Sequence, residues 1–273
     1  MTIENPPAKK GLRVIVLGDV VGRPGRAALS QGVKPLKDKL QADVVIANGE
    51  NAAGGAGIDA GTARDIRAAG VDLITLGDHA FQRKGSSEFL NENSAWCVRP
   101  FNLPVETTPG KGWCLLTRPD GLTLAVGNLM GRVFMGGAID CPFKGADRML
   151  SEMKAANARL TIVDMHAEAT SEKWAMGWHL DGRASLVVGT HTHVQTSDAQ
   201  VLPGGTGYIT DLGMSGSNTG VIGMDKQVAL KRFTSPTPAP YEIAEGEGIL
   251  HGVVADLVPE TGKTAWISAF TWP

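Results

Sequence analysis

Six short apolar runs, each rich in Val, Ile and Leu, constrain the fold of this chain more than any other feature of its sequence. They span residues 12–18, 43–48, 71–77, 122–129, 160–165 and 185–190. Their apolar residues follow one another without the alternation that marks a strand with one face in water. Each run is therefore predicted to be a strand that is buried on both faces.

Helices are predicted for four segments between these runs: 24–40, 59–69, 86–91 and 146–157. Pro24 suits the first turn of the first segment, because a helix leaves its first N–H groups unpaired in any case. Strands and helices thus alternate as βαβαβ, and further strands follow. This order predicts an α/β fold built in layers.

The chain changes character after residue 200, where turn-forming residues become frequent. The stretches 203–205 and 234–241 are rich in Pro and Gly or in Pro and Thr. The last two apolar stretches, 248–258 and 263–270, flank a short polar turn as the strands of a hairpin would. We expect this end to close the sheet with antiparallel strands, so that residues 11–273 form a single domain behind a flexible tail of residues 1–10.

Charge and cysteine content narrow the classes of partner and compartment. The 273 residues include 26 basic and 28 acidic ones, so no basic field is available to hold nucleic acid or a membrane. The three cysteines form no CxxC pair, which favours a reducing compartment over a disulfide framework. The first apolar run is too short for a signal peptide or a membrane span. These features predict a cytoplasmic protein with a small-molecule substrate, and they leave a homo-oligomer open.

Polar side chains capable of binding metal follow five of the six runs at the point where each run ends. They are Asp19, Glu50 and Asn51, Asp78 and His79, His166, and His191 with His193. Because ligand sites in open α/β sheets form beyond the carboxyl ends of the strands, we expect these side chains to converge.

Each of these residues also has an ordinary interpretation. A single Asp after a strand commonly caps a turn, and a single His is commonly part of a hydrogen-bonded core or surface. In extended backbone His191 and His193 would point to the same side, yet that pair alone is equally consistent with a packing accident. The number of coincidences at strand ends, rather than any one residue, favours a site.

The chemistry of the set indicates the class of metal. Imidazole and carboxylate groups without thiolate favour a first-row ion such as Mn, Fe, Co or Zn over Ca or Mg. A catalytic ion takes about three protein ligands, so these candidates are too many for one ion. Two ions about 3.5 to 4 Å apart, bridged by a carboxylate, fit the set better and suit phosphoryl displacement.

Six ordered segments, which cover nearly the whole chain, resemble the YmdB-like family of calcineurin-type metallophosphoesterases. They are GDVVGRPGR (18–26), NGENAAGGAGI (48–58), TLGDHAF (75–81), DMHAEATSEK (164–173), DGRASLVVGTHTHVQT (181–196) and TDLGMSG (210–216). The resemblance implies a four-layer α/β/β/α sandwich and hydrolysis of 2′,3′-cyclic nucleotides such as 2′,3′-cAMP, or of other small phosphodiesters. It implies two divalent ions, iron or manganese, with zinc as a third candidate.

The resemblance also implies a role for each candidate residue. The first ion would be held by Asp19, Glu50, Asn51 and His193, and the second by Glu50, Asp78, His166 and His191. Glu50 would bridge the two, because a carboxylate has two oxygens to give and an imidazole nitrogen only one lone pair. A metal-held hydroxide would attack phosphorus, and His79 would protonate the leaving oxygen.

The chain departs from known patterns at two places. Calcineurin-type enzymes commonly begin with Asp-x-His, whereas Asp19 is followed by two valines; the YmdB-like branch shares this loss, and Asn51 would supply the missing ligand. Asp78 stands where the branch carries Asn. With a bridging hydroxide, a third carboxylate would bring the net charge of the site to about zero. This change tightens metal binding and weakens the attraction for an anionic substrate. We therefore hypothesise that Asp78 binds metal and that it alters metal preference or slows turnover.

Weaker assignments and other functions stay open. Arg23 and Arg132 are candidates for contact with the substrate phosphate, although both also suit an ordinary surface. Asp164 and Asp211 are candidates for orienting the metal-binding imidazoles. A phosphomonoesterase, or a regulatory protein with a sensing metal site and weakened catalysis, would carry the same residues.

Overall fold

The computed structural model describes residues 6–104 and 108–273, so residues 1–5 of the expected tail lie outside the described part. The strands are β1 (Leu12–Leu17), β2 (Asp19–Val20), β3 (Val44–Asn48), β4 (Leu73–Thr75), β5 (Cys97–Val98), β6 (Trp113–Thr117), β7 (Thr123–Met130), β8 (Leu160–His166), β9 (Leu186–Thr190), β10 (Gln200–Val201), β11 (Gly207–Ile209), β12 (Met214–Ser217), β13 (Gly248–Val258) and β14 (Lys263–Trp272). The helices are α1 (Gly22–Leu40), α2 (Ala60–Ala68), α3 (Ser86–Glu92), α4 (Pro142–Ala155), α5 (Thr170–Leu180) and α6 (Lys226–Thr234).

The strands form two sheets. The first has the order β2-β12-β13-β1-β3-β4-β5, with β14 paired to β13, and the second has the order β10-β11-β9-β8-β7-β6. Strands β1, β3, β4 and β5 run parallel, as do β7, β8, β9 and β11. In each sheet, the carboxyl ends of the parallel strands therefore lie along one edge. The candidate residues lie at these two edges.

Three hydrophobic cores separate four layers. One core lies between helices α1 to α3 and the first sheet, a second between the two sheets, and a third between the second sheet and helices α4 and α5. Strand β1 shows the cause, because Val14 faces the core between the sheets and Ile15 faces the helices. A strand covered on both sides needs apolar residues at every position, which explains the unalternating runs. The four-layer α/β/β/α sandwich is confirmed.

The C-terminal stretches pair as predicted. Strands β13 and β14 form an antiparallel hairpin, and β13 pairs antiparallel with β1 at the middle of the first sheet. Part of the expected tail contacts this sheet, since the Lys10 backbone N–H donates to Asp256 at 3.1 Å. Among residues 6–104 and 108–273, no helix is long and apolar enough to cross a membrane.

Two helices were not predicted. In α5 the large apolar side chains Trp174, Met176, Trp178 and Leu180 fall at every second position, which hides the helical period. In α6 only Ala229 is buried, so the segment carries little hydrophobic signal. Helix α4 begins at Pro142, four residues before the predicted start, with Pro142 in its first turn.

Candidate metal centre

The eight candidate residues converge where the two sheets meet. The first sheet provides Asp19 from β2, Glu50 and Asn51 after β3, and Asp78 and His79 after β4. The second sheet provides His166 as the last residue of β8, and His191 and His193 after β9. The site thus depends on both sheets, and neither sheet carries all of its residues.

Gly77 allows this close approach. A Cβ atom at this position would lie 2.2 Å from Glu50 Oε2 and 2.3 Å from the His166 ring. Only glycine leaves room there for a carboxylate from one sheet and an imidazole from the other. The glycine directly before Asp78 is therefore part of the site's construction.

One group of four residues is compact enough to hold an ion. Ligand atoms of Glu50, Asp78, His166 and His191 all lie within 4.8 Å of one another. The His166 Nε2 atom is central, at 3.1 Å from Asp78 Oδ1, 3.2 Å from Glu50 Oε1 and 3.0 Å from His191 Nδ1.

Outer contacts occupy one nitrogen of each ring in this group and leave the other nitrogen directed at the group. The Thr190 hydroxyl donates to Asp164 at 2.7 Å, so it accepts from His166 Nδ1 at 2.9 Å. The His191 Nε2 atom lies 3.3 Å from the Glu168 carboxylate, within ion-pair distance. A neutral ring held in this way would direct its other nitrogen, unprotonated, at the group.

A second group lies beside the first. The His193 Nδ1–H donates to the Ile222 carbonyl at 2.8 Å, which leaves Nε2 facing Asn51 Oδ1 at 3.2 Å and Asp19 Oδ1 at 3.8 Å. The Asn51 amide donates to the Gly55 carbonyl at 3.1 Å, so its oxygen is the atom directed at His193. Within the described part of the chain, Asp19 Oδ1 is buried without a hydrogen-bond partner.

These contacts fit cations at both groups. A neutral imidazole lone pair facing carboxylate and amide oxygens is repulsive unless a positive charge lies between them. Buried carboxylate oxygens are normally paired or bound to metal, and Asp19 Oδ1 is neither hydrogen-bonded nor exposed. The donor set of imidazole, carboxylate and amide suits first-row ions.

Burial and contacts give the carboxylates different pKa values. Burial raises the pKa of Asp19 to about 7, against the opposing effect of His193 and His166. Burial acts in the same direction on Glu50, but His166 and the hydrogen bonds from His166 and His79 outweigh it and lower that pKa to about 2. Burial is likewise outweighed at Asp78, where hydrogen bonds from His166 and His79 lower the pKa.

The histidines also differ in pKa, again because of burial and neighbouring groups. Burial opposes protonation of His166, but Glu50 and the hydrogen bond to Asp78 raise its pKa well above the ordinary value. Burial lowers the pKa of His191 to about 4, and the neighbouring His166 adds to the effect. Hydrogen bonds to Asp78 and Glu50 raise the pKa of His79 to about 10, so this ring, 27% exposed, is protonated at neutral pH in the metal-free protein. His79 is thus the proton-bearing group at the edge of the site.

The expected extended backbone at His191 and His193 is wrong. Strand β9 ends at Thr190, and the two histidines have φ angles of 99° and 64°, in the left-handed region. Such a conformation costs an L-residue about 1 to 2 kcal/mol. A turn after the strand, and not the pleat of the strand, directs the two rings to neighbouring positions. The side chain of Thr190, the last residue of β9, supports His166 from behind.

Asp164, a candidate from the sequence for orienting an imidazole, acts through Thr190, and it also accepts from Asn48 at 3.1 Å and from Thr75 at 2.5 Å. Thr190 and Glu168 were not predicted as partners of the imidazoles. Glu168 lies two residues beyond His166, a spacing that could have indicated it as a partner for another imidazole. Arg23 and Arg132, the candidates for contact with the substrate phosphate, are both exposed. Arg23 lines a separate cleft with Ile243, and the backbone N–H of Arg132 donates to Glu172 at 3.0 Å.

Comparison with known proteins gives consistent matches over the full length. The family model described as YmdB-like protein matches residues 15–270. A 2′,3′-cyclic-nucleotide 2′-phosphodiesterase from Bacillus subtilis (strain 168) is 45% identical over 94% of this chain and 95% of that protein.

Two solved structures share the fold over 96% of this chain, with equal TM-scores. A hypothetical protein from Thermus thermophilus has a TM-score of 0.88 and 44% identity, with 96% of this chain and 99% of that chain covered. A novel phosphatase from Mycoplasma pneumoniae has a TM-score of 0.88 and 32% identity, with 96% and 94% covered.

Proposed function

Because this chain belongs to the YmdB-like family, we propose that it hydrolyses small phosphodiesters, 2′,3′-cyclic nucleotides among them, at a centre that holds two divalent ions. One observation carries the proposal: outer hydrogen bonds occupy Nδ1 of His166 and of His193, and an ion-pair contact occupies Nε2 of His191, so that the opposite nitrogen of each ring is directed at carboxylate or amide oxygens. The named activity of the Bacillus subtilis relative supports the choice of substrate.

The two groups of side chains divide between the proposed ions. Asp19, Glu50, Asn51 and His193 would hold the first, and Glu50, Asp78, His166 and His191 the second. The donor set favours iron or manganese, and zinc is a third candidate. When bound, the ions would neutralise charge on the phosphate and make water acidic enough to act as a nucleophile near neutral pH.

His79 is the proposed proton donor. Its Nδ1 atom lies 3.1 Å from Asp78 Oδ1 and 3.4 Å from Glu50 Oε1, so two carboxylates hold the ring and keep it protonated. The backbone N–H of His79 also donates to Glu50 Oε2 at 3.2 Å, which fixes the residue from a second side. The ring can then give its proton to the ribose oxygen that leaves phosphorus. Arg23 and Arg132 are further proposed as contacts for the substrate phosphate.

Two substrates with different leaving groups test this role. With 2′,3′-cAMP and Mn²⁺ we expect His79→Asn to reduce kcat by about 10² to 10⁴-fold, because an alkoxide leaves slowly without a proton. With bis(p-nitrophenyl) phosphate the loss should be much smaller, because p-nitrophenolate leaves without protonation. Equal losses on both substrates would show that His79 is not the proton donor.

A phosphomonoesterase is the second candidate, and the phosphatase from Mycoplasma pneumoniae favours it. Rates on bis(p-nitrophenyl) phosphate and p-nitrophenyl phosphate separate the two. We expect the diester to be the faster substrate. Protein that contains metal but is inactive on both esters, while it still binds nucleotide, would instead indicate a regulatory role.

The domain organisation, the size of the substrate and the cellular compartment are also proposals. We infer a single domain over residues 11–273, a small-molecule substrate and, from three cysteines that are free in the described structure, a reducing cytoplasmic compartment.

A further inference from the structure

A buried ion pair lies directly behind the segment that carries His191 and His193, and the proposed chemistry does not use it. Lys173 in α5 and Asp211 after β11 are each only 1% exposed, and their Nζ and Oδ2 atoms are 2.6 Å apart. Gly189 makes room for the lysine, because a Cβ atom there would lie 2.9 Å from Lys173 Cδ. The pair is therefore built into the fold beside the metal centre.

The Asp211 carboxylate connects this pair to the residue between the two histidines. Its Oδ2 atom accepts from the Thr192 backbone N–H at 3.2 Å and from the Thr192 hydroxyl at 2.8 Å. Its Oδ1 atom accepts from the Gly213 N–H at 2.8 Å. With the Lys173 ammonium, three donors share Oδ2 and a fourth is bound to Oδ1, so both oxygens act as acceptors.

Thr192 is the residue from which both rings can be fixed at once. His191 and His193, on either side of it, are in the left-handed region of backbone conformation, which an L-residue adopts only when its surroundings require it. The backbone of the turn is also held at His191, whose N–H donates to Asp19 Oδ2 at 3.1 Å. The hydrogen bonds to Thr192 thus fix the centre of a strained turn. The two residues that flank it, His191 and His193, belong to different groups of candidate ligands.

We propose that Lys173, Asp211 and Thr192 form a clamp that positions one imidazole for each of the two metal sites. These three are positioning residues, since none of them lies among the ligands. Lys173 fixes the carboxylate through the ion pair, and Asp211 holds Thr192, so that loss of the clamp loosens His191 and His193 together. The assignment of the two rings to two ions rests on the proposed function.

Asp211→Asn is the sharpest single change. An amide has one oxygen and one NH₂ group, whereas both oxygens of Asp211 accept hydrogen bonds. Either orientation of the amide therefore places a donor against a donor. Thr192→Val is a milder second variant at a half-buried residue, because it removes only the hydroxyl and keeps the shape and the backbone N–H.

The chain offers a matched control for loss of a buried ion pair. Arg13 and Asp256 are also 1% exposed each, with Nε and Oδ1 2.6 Å apart, and they join β1 to β13 away from the metal centre. Asp256→Asn should destabilise the protein to a similar degree without changing the histidines. Any effect that is shared with Asp256→Asn is a general effect of destabilisation.

Binding of Mn²⁺ to the metal-free full-length protein, measured by calorimetry, tests the clamp. We expect Asp211→Asn and Thr192→Val to weaken both Mn²⁺ sites by about tenfold or more, as loss of outer partners of metal ligands generally does. Thr192→Ser, which restores the hydroxyl, should bind as the wild type does, and so should Asp256→Asn. Unchanged affinity in Asp211→Asn and Thr192→Val, or an equal loss in Asp256→Asn, would overturn the proposal.

A metal-free measurement separates this proposal from the proposed function. In NMR spectra of the apo protein, we expect the backbone signals of residues 191–193 to shift or broaden in Asp211→Asn and in Thr192→Val, and to stay unchanged in Asp256→Asn. If the wild type took up no Mn²⁺, the proposed function would fail while these spectra still decided on the clamp. Signals for 191–193 that do not respond to either substitution would refute the clamp, whatever metal the protein binds.

Discussion

Asp78 is the residue at which the sequence is expected to depart from the family pattern, and its carboxylate lies in the group of four candidate ligand residues. Its Oδ1 atom lies 3.1 Å from His166 Nε2 and 3.6 Å from His191 Nδ1. Its carboxylate also contacts His79, so one side chain serves both a candidate ligand and the proposed proton donor. A charge at this position is therefore expected to affect metal retention and catalysis together.

The substitution Asp78→Asn is expected to weaken Mn²⁺ binding and to raise the rate per bound metal. Removing one negative charge leaves the ions less neutralised, so they attract an anionic phosphodiester more strongly and are themselves held less tightly. Metal content by mass spectrometry and kcat on 2′,3′-cAMP measure the two effects. Values for metal content and rate that both match the wild type would contradict a metal-binding role for Asp78.

Outer partners of the imidazoles are expected to matter in proportion to their burial. Thr190→Val should weaken Mn²⁺ binding by about 10 to 100-fold, because it removes the acceptor for His166 Nδ1 and leaves buried Asp164 short of a donor. Glu168→Ala should have a smaller effect, because the Glu168 side chain is 49% exposed and water can replace it. Titration of both variants with Mn²⁺ gives the order, and a larger effect in Glu168→Ala would contradict this account.

The convergence of the candidate residues was predictable from the sequence, but their hydrogen bonds were not. Asp19, Glu50, Asp78 and His166 each follow or end an apolar run, and parallel strands bring such positions to one edge. Which ring nitrogen faces the site depends on partners such as Ile222, which is distant in the chain from the histidine it fixes. A pattern of residue types contains no information on such pairings.

At the scale of elements, the close approach of Glu50 and His166, one from each sheet, depends on Gly77 in the turn after β4. Gly77→Ala should abolish tight Mn²⁺ binding, because the added Cβ atom would lie within 2.3 Å of both Glu50 and His166. Overpacking of this kind also costs about 1 to 3 kcal/mol of stability. Gly136→Ala is the control, since a Cβ atom there meets nothing within 4 Å in the described structure. Calorimetry with Mn²⁺ on both variants is the measurement, and retention of wild-type affinity in Gly77→Ala would contradict the geometry.

The elements were predictable where local pattern and burial coincide. The six apolar runs became strands because each is covered on both faces, and the 248–258 and 263–270 stretches became a hairpin because a polar turn joins them. Strand β12 could not be predicted, because its four residues pair with the distant strands β2 and β13. Helix α5 was missed because its apolar residues alternate as those of a strand do.

At the scale of the whole molecule, metal should stabilise the fold, because the ligands come from both sheets and a bound ion would link them. Ligand at 100 times its Kd contributes about 2.7 kcal/mol of stability when it binds only the folded state. We therefore expect Mn²⁺ to raise the Tm of the metal-free protein and a chelator to reverse the rise. His166→Ala should remove most of this response, since His166 Nε2 is central to the group of four ligands. A Tm that does not respond to Mn²⁺ in the wild type would contradict a metal site shared by the two sheets.

The central claim is that both groups of side chains bind metal, and anomalous scattering from crystals tests it most directly. Data collected at the Fe and Mn edges, from protein loaded anaerobically, give the number and identity of the ions together. We predict two anomalous peaks, one beside Asp19, Asn51 and His193 and one beside Asp78, His166 and His191, with Glu50 in contact with both. A single peak, or none after loading, would contradict the two-ion account.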